Sequence, residues 1–102
     1  MNLIQTHIGQ IAALCAKYKV KSLFAFGSIT QNELKPESDI DFLVDIEGRD
    51  PIAYSDNYFA LKFQLEQLFN RPIDLLEQRA MKNQYLQQRI DHSKVLVYGE
   101  GN

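Results

Sequence analysis

The chain has 102 residues, of which 45% are apolar and 24% charged, with a formal net charge of -2 and a single cysteine. That length holds one domain, 1–102, and the composition is that of an ordinary globular protein rather than a disordered or collagenous one. The slight acidic balance excludes a general polyanion binder, whose affinity rests on clustered Lys and Arg, and one cysteine excludes an intrachain disulfide. A reducing cytoplasm is therefore the expected compartment. Neither secretion nor membrane insertion is expected, because no basic segment precedes an apolar run at the N-terminus and no apolar stretch approaches bilayer-crossing length.

In chain order, Ile4, Ile8, Ile11, Cys15 and Tyr18 recur at helical spacing and predict one amphipathic helix over about 3–18. Cys15 lies on its apolar stripe and is expected to be buried packing. His7 has no second His or Cys at ligand spacing, so a place on the helix edge or surface is expected. Val20 to Phe26 is apolar on both faces and reads as a strand near the middle of a sheet. Gly27-Ser28 follows, then a polar connection, Ile29 to Ser38, with a short helical turn and a break at Pro36.

A second strand opens with Asp39-Ile40-Asp41. Strand alternation puts Asp39 and Asp41 on one face and Ile40, Phe42, Val44 and Ile46 on the other. Asp45 and Glu47 share the face of the aspartates but lie further from Gly27-Ser28, so a solvated or partner-facing role is expected. Asp50 is a helix cap and Pro51 suits the first helical position. The helix runs to about Phe69 on a stripe of Tyr54, Tyr58, Leu61, Leu65 and Leu68, and Asn70 is its stop.

Pro72 to Leu76 is a third strand carrying Asp74, a lone carboxylate in an apolar run that is expected to be buried and to need a partner or a metal. Met81 to Ile90 reads as a Gln-rich helix with His92 at its exit, and Val95 to Tyr98 as a last strand before a frayed Gly-containing end. The element order predicts an α/β fold with a mixed sheet, helices packed on one face and the site on the other.

Asp-x-Asp on a rigid strand can hold a hard cation jointly, and the two charges would repel without one; Mg2+ fits that demand. Gly27 permits a tight turn and close ligand approach, and Ser28 opens a helical turn whose free N–H groups suit phosphate. Gly-Ser alone is an ordinary turn, and Asp-x-Asp alone is a common solvated strand face. In this order, between two apolar strands, they point to phosphate plus metal.

Gly27-Ser28, ten intervening residues, then Asp39-x-Asp41 and an apolar strand resemble the signature of the DNA polymerase β-type nucleotidyltransferase superfamily. The short chain narrows the resemblance to the minimal nucleotidyltransferases (MNT proteins) that pair with HEPN ribonuclease toxins. The resemblance implies a palm-like fold with Asp39, Asp41 and Asp74 as catalytic residues and ligands of two Mg2+ ions, and ATP as substrate. It implies nucleotide contacts from Gly27, Ser28, Lys35 and Ser38. It further implies transfer of AMP to a tyrosine hydroxyl of a HEPN toxin held in a hetero-oligomer. Many relatives carry Arg about three positions after Gly-Ser, where this chain has Gln31, leaving Lys35 the only cation of the connection. Two alternatives stay open: an antitoxin that acts by contact alone, and a small-molecule nucleotidyltransferase whose missing substrate wall a second chain would supply.

Overall fold

A strand that is apolar on both faces needs cover on both, and β1 (Val20–Phe26) finds it inside a four-stranded sheet in the computed structural model, which describes residues 2–99. The sheet order is β3-β2-β1-β4, with β2 at Ile40–Ile46, β3 at Ile73–Glu77 and β4 at Val95–Gly99. β1 pairs antiparallel with both β2 and β4, whereas β2 and β3 are parallel and joined by a long helix, as a parallel pair requires. The mixed sheet is the expected one. The expected frayed end, 100–102, lies outside the described residues.

The helix between the parallel strands, α3, spans Pro51–Phe69 with the predicted boundaries. The Asp50 side chain accepts the Ile52 N–H at 3.0 Å, Pro51 opens the first turn, and Asn70 ends the helix at φ 52°. Leu61, Leu65 and Phe69 of α3 are buried, Tyr54, Tyr58 and Leu68 half-buried, and Ile52, Phe59 and Phe63 lie off this stripe in solvent.

The first helix is interrupted rather than continuous. It comprises α1 (Asn2–Thr6) and α2 (Ile8–Lys17), separated at His7. The His7 imidazole Nδ1–H donates to the Leu3 carbonyl at 2.9 Å and the His7 amide turns to Ile4 O at 3.1 Å, which breaks the regular ladder. His7 sits half-buried against Phe69 with ring centroids 5.1 Å apart, and Ile8, predicted on the stripe, is left exposed. Cys15 is buried as expected, and burial pushes its thiol up to about 12, so it is protonated and inert.

The main core lies between α1–α3 and one face of the sheet, where Leu23 and Ala25 of β1 and Phe42, Val44 and Ile46 of β2 meet Ile11, Leu61 and Leu65. The helix layer is not confined to that face. α4 (Gln84–Ser93) lies across the other, where its Ile90 joins Phe24 and Leu43 in a second, smaller cluster. α4 starts later than the predicted Met81: residues 78–80 form a 3-10 turn, and Asn83 Oδ1 accepts the N–H groups of Tyr85 at 2.9 Å and Leu86 at 3.2 Å.

Phe42 is fully buried, with Phe69 across from it at 6.2 Å. Phe42→Ala is expected to cost about 3–5 kcal/mol by leaving a cavity where the two faces of the core meet, a large share of the stability of a small domain. A urea titration checks it, as a fall in midpoint with an unchanged slope.

Candidate active site

Strand pairing places the central carboxylate. Asp41, the second residue of β2, lies opposite Phe26, the last residue of β1, and in parallel register with Asp74 of β3. Its face is that of Leu43, so it stands at the rim of the small cluster formed by Phe24, Leu43 and Ile90, half-buried. Burial, followed by the charges of Asp74 and Asp39, pushes the Asp41 carboxyl up from 3.8 to about 6. The three predicted carboxylates are thus coupled through space around Asp41. Asp74 departs from expectation in being exposed: β3 is an edge strand, so the apolar run around Asp74 buries Ile73 and Leu75 on one face and leaves the carboxylate in water.

Gly27 makes room for Asp41. Its φ of 76° is one that L side chains avoid, and a Cβ built there would lie 2.6 Å from Asp41 Oδ2. The turn that follows is a 3-10 helix over Gly27–Gln31, with the Thr30 hydroxyl donating to Gly27 O at 2.8 Å and Asn32 closing it at φ 57°. Ser28 is half-buried in this turn, and its carbonyl accepts the Glu33 N–H at 2.9 Å.

The end of α4 is tied to the same turn. Gly27 N–H donates to Ser93 Oγ at 3.3 Å, and the Ser93 hydroxyl donates to Arg89 O at 3.4 Å. Between α4 and the turn is a cleft of about 520 Å3, with Gly27, Gln31 and Asp41 on one side and Tyr85, Arg89 and His92 on the other. His92 is exposed on this wall.

Of the predicted site residues Gly27 and Asp41 line the cleft; Ser28, Asp39 and Asp74 do not, and neither do Lys35 and Ser38. The last two close the turn that delivers Asp39: Ser38 Oγ accepts the Lys35 N–H at 3.1 Å, and the Ser38 N–H donates to Lys35 O at 3.0 Å. Arg71 holds this turn from outside, donating through Nη1 to Lys35 O and to Ser38 O, both at 3.1 Å. Asp45, expected to be solvated or to face a partner, is half-buried and 3.8 Å from Arg79. Arg79 also donates to Ile46 O and Gly48 O and covers the Tyr54 ring at 4.2 Å, so Asp45 belongs to a structural cluster.

The family model of the polymerase β nucleotidyltransferase domain matches residues 9–101. The chain belongs to this family. Putative protein adenylyltransferase MJ1379 of Methanocaldococcus jannaschii is 33% identical over 81 residues, 79% of this chain and 80% of that one. A solved structure described as a putative minimal nucleotidyltransferase superposes with a TM-score of 0.72 at 25% identity, covering 89% of each chain. The fold is shared as well with a complex of tri-AMPylated Shewanella oneidensis HEPN toxin and MNT antitoxin, at a TM-score of 0.65 and 22% identity, over 95% of this chain and 73% of that one.

In this polymerase β-type domain the donor set fits a hard divalent cation. Asp39, Asp41 and Asp74 offer carboxylate oxygens; burial is the main cause that raises Asp41, and the repulsion by Asp74 and Asp39 that adds to it is of the kind a cation relieves. Among the described residues no three His, Cys, Asp or Glu side chains form a ready cage, so a bound ion would complete its shell with water or phosphate oxygens. Two contributors escaped the sequence reading. Arg71 is 33 residues from the Ser38 carbonyl it holds, and no local pattern marks it. The α4 wall carried a signal, the spacing of Tyr85, Arg89 and His92 along one helix ridge, but nothing in the sequence says that this ridge faces Gly27.

Proposed function

We propose that this chain is a Mg2+-dependent nucleotidyltransferase antitoxin that transfers AMP from ATP to a tyrosine hydroxyl of a HEPN ribonuclease toxin and thereby silences it. The observation that carries the reading is the Asp41 carboxylate set against Gly27, in register with Asp74 and at the wall of a nucleotide-sized cleft. The family, the adenylyltransferase name of a relative and the AMPylated toxin bound to a neighbour of the same fold support it.

Asp39, Asp41 and Asp74 would hold two Mg2+ ions, which when bound neutralise phosphate charge and lower the pKa of an attacking hydroxyl. Gly27, having no Cβ, lets the phosphates approach the strand end beside Asp41, and Ser28 and the following N–H groups face the β and γ phosphates. Lys35 and Ser38 act by holding the turn that presents Asp39, with Arg71 bracing it. The acceptor oxygen attacks the α-phosphorus, the bond to the β-phosphate oxygen breaks, and pyrophosphate leaves. Asp74, exposed beside Asp41, has room to take the acceptor's proton.

The test is incubation of the protein with Mg2+, each labelled NTP in turn and a HEPN toxin encoded beside it, followed by intact mass and RNase assay. The expected result is adenylate-sized mass steps on a toxin tyrosine with ATP, accompanied by loss of RNase activity. Gln31, a neutral side chain on the cleft wall beside the Gly-Ser turn, favours a second reading in which the chain neutralises its partner by contact alone. RNase inhibition without ATP and without added mass would establish that second reading instead.

A further inference from the structure

Among the described residues Arg89 is the sole Lys or Arg lining the cleft that holds Gly27 and Asp41. It is exposed, and among the described residues it enters no ion pair; its hydrogen bond to Ser93 uses only the backbone carbonyl. Two neighbouring cations are engaged elsewhere, Arg79 by Asp45 and Lys94 by Asp91. The helix that carries Arg89 is fixed in place on both sides of it: Ile90 is buried against Phe24 and Leu43, and Ser93 accepts the Gly27 N–H. A guanidinium on an anchored helix, opposite a carboxylate and with no partner of its own, lacks an anion.

We infer that Arg89 is the triphosphate-binding cation of this site, a role that rests on the nucleotidyltransferase reading above. A triphosphate entering the cleft meets the negative charge of Asp41, and the wall beside the Gly-Ser turn offers only neutral Gln31. Arg89 supplies the compensating charge from across the cleft, where its planar fork can take two phosphate oxygens at once. Because the charge sits on α4 and the turn on β1, the seating of Ser93 on Gly27 couples the two halves of the phosphate grip.

The test is calorimetric titration of the full chain with ATP and with AMP, each with Mg2+, for wild type, Arg89→Ala, Arg89→Lys and the double variant Arg89→Ala with Gln31→Arg. Arg89→Ala is expected to weaken ATP about ten- to hundredfold, as loss of a charge-assisted hydrogen bond does, and AMP by less than about threefold. Arg89→Lys should recover part of the loss, and so should the double variant, which returns a guanidinium to the opposite wall. The melting temperature without nucleotide should not change, because the Arg89 side chain holds nothing in the fold. Unchanged ATP affinity in Arg89→Ala, equal losses for ATP and AMP, or a lowered nucleotide-free melting temperature would each overturn the role of Arg89 alone. Failure of the wild type to bind ATP would overturn the nucleotidyltransferase reading, and Arg89 with it.

Discussion

Asp41→Asn is expected to reduce adenylyl transfer by at least about a thousandfold and at the same time to stabilise the metal-free protein. The first effect follows from removing the central carboxylate of a site whose chemistry depends on charge neutralisation. The second follows from Asp41 being raised to about 6 by burial and by Asp74 and Asp39. A carboxyl raised on folding binds its proton more tightly in the folded state, so its penalty is absent below the unfolded value of 3.8 and complete above about 6. After screening by solvent around this half-exposed group, the penalty is about 1 kcal/mol at neutral pH, or about 4–8 °C in melting temperature. Thermal melts in EDTA across pH 3.5 to 7.5 check the sign: the variant should melt above wild type at pH 7, with the gap closing as the pH falls towards about 4. Mg2+ with ATP should then reverse the order, because only the wild type gains from the ligand. Identical melting curves at every pH would refute the electrostatic account of Asp41.

Gly27→Ala is expected to lower transfer by about a hundredfold or more, the scale of a roughly 1 Å displacement of a reacting group, while costing only about 1–2 kcal/mol of stability. The stability cost arises from placing a side chain at φ 76°. The activity cost arises because the new methyl meets Asp41 Oδ2 at 2.6 Å, and the carboxylate, as the free end of a side chain, swings away rather than the strand. Circular dichroism should show a folded protein, and Gly48→Ala serves as the comparison, since it puts a Cβ at φ 116° with no atom within 4 Å of it and away from Asp41. A Gly27→Ala variant with wild-type turnover would mean that the close approach of turn and carboxylate has no catalytic consequence.

Local chemistry made much of this molecule readable from its residues. The limits of α3 follow from Asp50, Pro51 and Asn70, each acting on its own backbone, and the apolar run of β1 requires an interior strand wherever the sheet forms. The Gly27, Asp39 and Asp41 spacing is likewise local, because strand alternation and turn geometry span only a few residues. What failed or stayed hidden depends on partners distant in the chain. Asp74 looked buried because an apolar run does not reveal which face of an edge strand is covered, and His7 broke a helix through a side-chain bond that periodicity does not register. The strand register that sets Asp74 beside Asp41, the placing of α4 over the second sheet face, and the hold of Arg71 on the turn before Asp39 were decided by packing alone. Residue types and spacings determined which chemistry this chain carries; only the tertiary structure decided which side chains stand across the cleft from it, because helix direction and strand register arise from burial summed over the whole core.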